Sequence, residues 1–310
     1  MSALPVADAL PYPTPIGHRV TTATTTEVEL RRHRVPTTLG EIAVAEVPGD
    51  GPTLVMLHGG GPGASGVSNY HQNLAALSQH FRILLPDQPG FGESYRPTEA
   101  DLDERSITAI TVDALAQALD ALGVGTFHLL GNSLGGAAAI AFAQTHRDRV
   151  SGLVLMAPGG GWLPFGPTPT EGQKEMFKYF NGGGPSEKKM ASFIRTMVFD
   201  HKQFGADVVR ARYEASLDES HIAFYHLYNA AFAKRHGMDP LWKDLHRITA
   251  PTLLLWGRDD RTITLEGAQI MLKQIPDVQM HVFGRCGHWV QLERSAEFER
   301  HVTDFLGNLA

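Results

Sequence analysis

Three residues far apart in the chain have the types needed for nucleophilic catalysis. Ser133 lies in Leu130-Gly131-Asn132-Ser133-Leu134-Gly135, which contains Gly-x-Ser-x-Gly. Phe127–Leu130 before it reads as a short buried strand, and the small residues after it, Ala137–Gln144, read as a helix. A serine between strand and helix sits on a sharp turn with its Oγ exposed, and glycines two positions either side avoid collision across that turn. A serine hydroxyl is a poor nucleophile at neutral pH and needs a base. His288 follows the last strand-like run in Gly284-Arg285-Cys286-Gly287-His288-Trp289 and is the candidate among 15 histidines. A histidine base in turn needs a carboxylate to fix its tautomer. Trp256-Gly257-Arg258-Asp259-Asp260 offers two, and Asp260 is favoured over Asp259 by the Gly-x-x-Asp spacing. Acyl transfer also needs donors for a developing oxyanion. These are the backbone N–H of Leu134 and one from the loop His58-Gly59-Gly60-Gly61-Pro62-Gly63, with Gly60 preferred over Gly59 or Gly61. No Gly-Lys-Ser/Thr follows that loop, so it does not read as a phosphate loop.

The elements that must position these groups are legible as apolar runs. Thr53–Leu57, Arg82–Leu85, Phe127–Leu130, Leu153–Met156, Thr252–Trp256 and Gln279–Phe283 read as strands buried on both faces. Helical patterns fall between most of them, at Leu74–His80, Ile107–Leu122, Leu134–His146, Leu265–Gln274 and Ala296–Leu306. This alternation predicts a mostly parallel, doubly wound α/β sheet. Ahead of it, Val28 and Leu30, then Ile42, Val44 and Val47, predict an antiparallel pair turning near residues 38–40. Residues 1–26, rich in Pro, Thr and Ala, are expected to be an extended or disordered arm. The core then divides into residues 27–158 and 248–310, separated by a helical lid at 159–247. The lid carries a capping-box signature at Thr170–Gln173 and helical patterns at Glu175–Phe180, Glu187–Phe199, Ala206–Leu217 and Ile222–His236. It begins after a strand's C-terminal end, where such sheets bind ligands. The order Ser133…Asp260…His288 is that of an α/β-hydrolase.

Composition narrows the partners. A net charge of −6 and no Lys/Arg stripe argue against nucleic acid or an anionic membrane surface. No apolar run is long enough to span a bilayer, and the N-terminus has no secretory pattern. A single cysteine, Cys286, excludes an intrachain disulfide and is read as buried packing; the cytoplasm is the expected compartment. No metal cluster or nucleotide fingerprint is present, so no cofactor is expected.

His58–Ala64 with Ser68-Asn69-Tyr70, Gly131–Gly136, Trp256–Arg261 and Cys286-Gly287-His288-Trp289-Val290-Gln291 together resemble the meta-cleavage product hydrolases. These α/β-hydrolases cut a carbon–carbon bond in ring-opened catechols. The likeness spans about residues 28–308 and is strongest to steroid- and biphenyl-degrading members, although the lid after Phe180 is only loosely similar. It implies Ser133, Asp260 and His288 as a triad, with Gly60 and Leu134 as oxyanion donors. It further implies that Asn69, Asn132, Arg212 and Trp289 hold the dienoate end of the substrate. Arg210 lies two positions from Arg212, about 200° round a helix, so both cannot face one site. The implied reaction splits a 2-hydroxy-6-oxo-hexa-2,4-dienoate into 2-hydroxypenta-2,4-dienoate and a carboxylic acid, by an acyl-enzyme or an activated water. The lid's surplus of aromatics and Met points to a bulky apolar 6-substituent. The family also implies a homo-oligomer, a dimer or tetramer. Rival readings are a carboxylesterase or proline-iminopeptidase-like hydrolase, and a non-catalytic ligand receptor on the same fold.

Overall fold

The computed structural model describes residues 28–161, 168–235 and 237–309. The expected N-terminal arm lies outside them. One sheet of eight strands forms the centre, in the order β1-β2-β4-β3-β5-β6-β7-β8. The strands are β1 (Arg31–Pro36), β2 (Glu41–Val47), β3 (Thr53–Leu57), β4 (Arg82–Pro86), β5 (Phe127–Asn132), β6 (Val150–Met156), β7 (Thr252–Gly257) and β8 (Val278–Phe283). β2 runs antiparallel to both its neighbours; from β4 to β8 every pairing is parallel. The parallel strands β3 and β5–β7 carry the continuous apolar runs and are buried almost throughout, as sheets covered on both faces require.

The first hairpin forms where expected, β1 pairing antiparallel with β2 across a turn at residues 37–40, but its first strand begins later than the apolar pattern at Val28 and Leu30. Val28 and Leu30 precede β1 and pack against the core edge, while β1 itself reads Arg-Arg-His-Arg-Val-Pro. An edge strand is hydrogen-bonded on one side only and needs no apolar alternation; charge there discourages pairing with another chain. His33 and Arg34 meet acidic partners, His33 with Glu46 at 2.7 Å and Arg34 with Glu93.

Twelve α-helices follow the strands among the described residues. In the first half they are α1 (Gly66–Tyr70), α2 (Leu74–Leu77), α3 (Glu99–Glu104), α4 (Ile107–Ala121) and α5 (Leu134–Thr145). α2 is one turn long, where a longer helix to His80 was expected. Between β6 and β7 come α6 (Glu171–Phe180), α7 (Glu187–Met197), α8 (Ala206–Ala215) and α9 (Glu219–Lys234). The chain ends with α10 (Ala268–Gln274), α11 (Val290–Glu293) and α12 (Ser295–Gly307). The inserted helices begin on good caps: Thr170 and Gln173 form a reciprocal capping box at α6, and Ser186 and Asp218 cap α7 and α9. Tyr179, Phe180, Met190, Phe193, Ile194 and Tyr225 form a core of their own that reaches Trp289 of the main body. That shared cluster seats the insertion over the C-terminal ends of the central strands.

Candidate active site

Ser133 has φ 54° and ψ −113°, a left-handed conformation costly for any residue with a Cβ. The turn leaves no alternative. A Cβ on Gly131 would lie 2.4 Å from the Gly135 carbonyl oxygen, and one on Gly135 would lie 2.5 Å from those of His58 and Leu57. Hydrogen bonds from Ser133 N to Met156 O (3.0 Å) and from Gly159 N to Ser133 O (2.8 Å) tie the strained residue to β6 and its following loop. Ser133 is therefore held between β5 and α5. Leu134 opens α5, so its N–H has no acceptor within the helix.

The loop after β3 packs on this turn. A Cβ on Gly60 would lie 2.9 Å from Leu134 Cδ2 and 3.3 Å from its Cβ, so glycine lets the loop sit close against that residue. His58 anchors the loop. It is fully buried, its Nδ1–H donates to Gly59 O at 2.8 Å, and its Nε2 accepts from Gln88 N at 2.9 Å. Burial drives its pKa down to about 4, so the ring is neutral.

His288 and Asp260 meet from neighbouring loops, after β8 and β7. His288 Nδ1 donates to Asp260 Oδ2 at 2.6 Å, and both side chains are almost completely buried. Asp260 Oδ1 accepts from Thr262 N (2.7 Å) and Ile263 N (3.0 Å), which fixes the carboxylate in place. With Nδ1 committed as donor, Nε2 carries the free lone pair, as a proton acceptor must. Asp259 turns away to Arg258 at 3.3 Å.

A pocket joins these parts to the insertion. Its wall includes Gly60, Ser133 and His288 from the core, and Met176, Phe193, Met197 and Arg212 from α6–α8. Asn69, Asn132 and Trp289 line it too, so the structure brings together every side chain that the resemblance marks for the site. Asn132 Nδ2 donates to Met156 O at 3.2 Å, and the Asn69 backbone carbonyl accepts from Gln291 Nε2 at 3.2 Å. Leu134 lies just behind the lining, against Gly60.

Among the described residues, Arg212 is the one fixed positive charge in this wall. Its guanidinium stacks on the Trp289 ring, 4.7 Å from the centroid. Its Nε is buried without a partner, and among the described residues no carboxylate neutralises it. Burial works against the charge and pushes its pKa down from the ordinary arginine value. Arg210 is exposed and faces Glu187 at 3.6 Å, so the helical geometry separates the two arginines as expected. Cys286 is buried, and burial pushes its thiol pKa well up, which makes it a packing group.

One participant has no sequence signal. Glu293, five residues beyond His288, directs its carboxylate back at Gly287 N (2.6 Å) and at Phe199 N (2.7 Å) at the end of α7. A glutamate ending a short helix is indistinguishable in sequence from a solvated one. Met176, Phe193 and Met197 were legible only as members of an aromatic and Met-rich lid.

A strained serine at a strand-to-helix turn, a buried Asp–His pair from the loops after the last two strands and a helical cover define an α/β-hydrolase. Residues 52–295 match the family model described as alpha/beta hydrolase fold. The chain is 37% identical over 265 residues to the 2-hydroxy-6-oxo-6-phenylhexa-2,4-dienoate hydrolase of Burkholderia cepacia, covering 84% of this chain and 89% of that one. It is 39% identical over 265 residues to the 2-hydroxy-6-oxononadienedioate/2-hydroxy-6-oxononatrienedioate hydrolase of Cupriavidus pinatubonensis, covering 83% and 87%. Among solved structures, a meta-cleavage product hydrolase from Pseudomonas fluorescens, complexed with acetates, superimposes with a TM-score of 0.79 at 29% identity, covering 90% of this chain and 98% of that one. The chain belongs to the meta-cleavage product hydrolases of the α/β-hydrolase family.

Proposed function

We propose that this protein hydrolyses the C5–C6 bond of a 2-hydroxy-6-oxo-hexa-2,4-dienoate bearing a bulky apolar group at C6. The observation that carries this reading is the buried, uncompensated guanidinium of Arg212 in the cavity that Ser133 and His288 share. A lone desolvated cation is costly unless an anion enters with the ligand, and a carboxylate forms the strongest, most directional pair with a guanidinium. A simple ester hydrolase has no use for such a charge. The relatives' names describe a phenyl-substituted dienoate and a dienedioate or trienedioate, all of which carry a carboxylate at C1.

The chain's residues support each step. Arg212, with Asn69 and Asn132, holds the C1 carboxylate and the 2-hydroxyl end. Trp289 stacks beneath Arg212 and keeps the guanidinium aimed at the cavity. His288 moves the proton that leaves the 2-hydroxyl, and C5 gains a proton, so the dienol becomes a 2,6-diketone. Ser133 Oγ, or a water it activates, then adds to C6 while His288 Nε2 takes its proton and Asp260 stabilises the imidazolium. The N–H groups of Leu134 and Gly60 receive the negative charge on the C6 oxygen. Collapse breaks C5–C6, and its electrons delocalise into the 2-oxo group as a dienolate. Protonation gives 2-hydroxypenta-2,4-dienoate; where water added, the C6 fragment leaves directly as a carboxylic acid, and where Ser133 added, a water deprotonated by His288 hydrolyses the acyl-Ser133 ester, releasing the acid and returning the proton to Ser133 Oγ. Met176, Phe193 and Met197 give the cavity an apolar side.

The test follows a purified aryl-substituted dienoate by the loss of its conjugated absorbance. Multiple turnovers with release of the aryl carboxylic acid are expected. Efficient p-nitrophenyl ester cleavage without dienoate turnover would replace this reading with an esterase, and a single slow turnover with a ligand receptor.

A further inference from the structure

We propose that Glu293 is the positioning residue for His288, acting through a clamp that fastens the end of α7 to the base's loop. The proposal rests on His288 being the base, as argued above, and adds a residue to that assignment. Glu293 Oε2 accepts from Gly287 N at 2.6 Å, immediately before His288. Its Oε1 accepts from Phe199 N at 2.7 Å and Asp200 N at 3.2 Å, just beyond α7. One carboxylate thus takes three backbone donors from two separate elements. Charge-assisted bonds of this kind are about twice as strong as neutral ones.

The segment on the far side of the clamp touches both loops of the Asp–His pair. Met197 O accepts from His288 N at 2.7 Å. From the acid's loop, the Arg261 guanidinium donates to Val198 O at 3.1 Å and also to Arg195 O. Thr262 Oγ1 lies 3.5 Å from Met197 Sδ. The approach is close: a Cβ on Gly287 would lie 2.6 Å from Met197 O and 2.8 Å from Val198 Cα. Residues 195–200 therefore act as a splint across the two loops, and Glu293 is the carboxylate that holds the splint to the histidine side. Among the described residues, the imidazole's own side-chain tie is the single bond to Asp260. Its main-chain position is set by Met197 O and, one residue earlier, by Glu293.

The chemistry demands a carboxylate. A glutamine offers one acceptor oxygen and turns its NH₂ toward a backbone N–H, so one side of the clamp must open. Glu293→Gln keeps the side chain's volume and removes this function. An aspartate keeps the acceptor set on a shorter stem.

The experiment uses the full chain with Glu293→Gln, Glu293→Asp and, as a surface control, Glu297→Gln on α12. Three readouts are taken: the rate at which a fluorophosphonate probe labels Ser133, the far-downfield NMR resonance of the His288 Nδ1 proton, and kcat and KM on an aryl dienoate. Glu293→Gln is expected to slow labelling and lower kcat at least about tenfold, because small displacements of a catalytic group are expensive. KM should stay within about threefold of wild type. The resonance should broaden or vanish through faster exchange. Glu293→Asp should fall between the two, and Glu297→Gln should match wild type. If Glu293→Gln does not fold, Glu293→Asp decides on the same readouts. Wild-type labelling with an unchanged resonance in a folded variant overturns the proposal, as does a change confined to KM. Labelling and resonance do not involve the dienoate. If no dienoate is cleaved while they still shift, the substrate assignment has failed and the role of Glu293 stands.

Discussion

Arg212 and His288 reach the same cavity from opposite sides and are linked by one residue. The guanidinium lies 4.7 Å from the centre of the Trp289 ring, and Trp289 follows His288 directly in the chain. The group that would grip a carboxylate is thereby set against the backbone of the group that would move the proton. Binding and chemistry share a rigid joint.

Replacing Ser133 with alanine should separate them. The variant should still bind the dienoate, seen as a perturbed chromophore spectrum, and lose at least about 10³ in turnover. Turnover within tenfold of wild type would remove Ser133 from the chemistry.

Asp260→Asn should keep the hydrogen bond to His288 in some form but favour the wrong imidazole tautomer, lowering kcat by about 10⁴ as in other serine triads. Asp259→Asn, whose carboxylate pairs with Arg258, should stay near wild type. Steady-state rates on one dienoate check both.

Arg212→Ala should reduce kcat/KM on a dienoate by roughly 10- to 100-fold, corresponding to charge-assisted bonds of about 1.5–3 kcal/mol. Hydrolysis of an uncharged p-nitrophenyl ester should change little. Equal losses on the two substrates would show that Arg212 shapes the site without recognising an anion.

Gly135→Ala should cost about 1–3 kcal/mol through overpacking, because the new methyl would sit 2.5 Å from two backbone oxygens. A thermal melt should show a transition several degrees lower. Ala137, outside the turn, marks the contrast: it already carries its methyl in a helix.

Acid should unfold the protein partly through His58. Its folded pKa is about 4, against an ordinary value of 6.5. The unfolded chain therefore binds the proton that the folded chain refuses, so stability is full above pH 6.5 and falls as pH drops toward 4. The full loss from this ring is on the order of 3 kcal/mol. Urea titrations across that range should show a shallower acid limb in His58→Gln.

How much of this was legible in the sequence depends on how local each constraint is. Ser133 was legible because a tight turn forces glycine at Gly131 and Gly135, and these are visible one residue at a time. The buried parallel strands were legible because covering on both faces leaves an unbroken apolar run. Helical angle says that Arg210 and Arg212 cannot both face one site, and the family resemblance selects Arg212. The antiparallel pairing of β1 is legible but its start is not, because an edge strand answers to solvent and to its acidic partners and carries Arg31, Arg32, His33 and Arg34 in place of apolar alternation. Glu293 was invisible because its meaning lies in three amides, two of them more than ninety residues away in the chain. Strand order, too, is a property of the assembled sheet.

The division of the cavity wall has an evolutionary reading. Bond-making groups grow from the rims of deeply rooted strands, whereas the guanidinium and much of the greasy lining arrive on an interposed stretch of chain with its own small nucleus. Such a stretch can drift, and with it the menu of molecules accepted, while the reactive apparatus beneath stays as it is. The portion that packing leaves least free to change is the short splint beside the imidazole, where drift in diet would become damage to the engine.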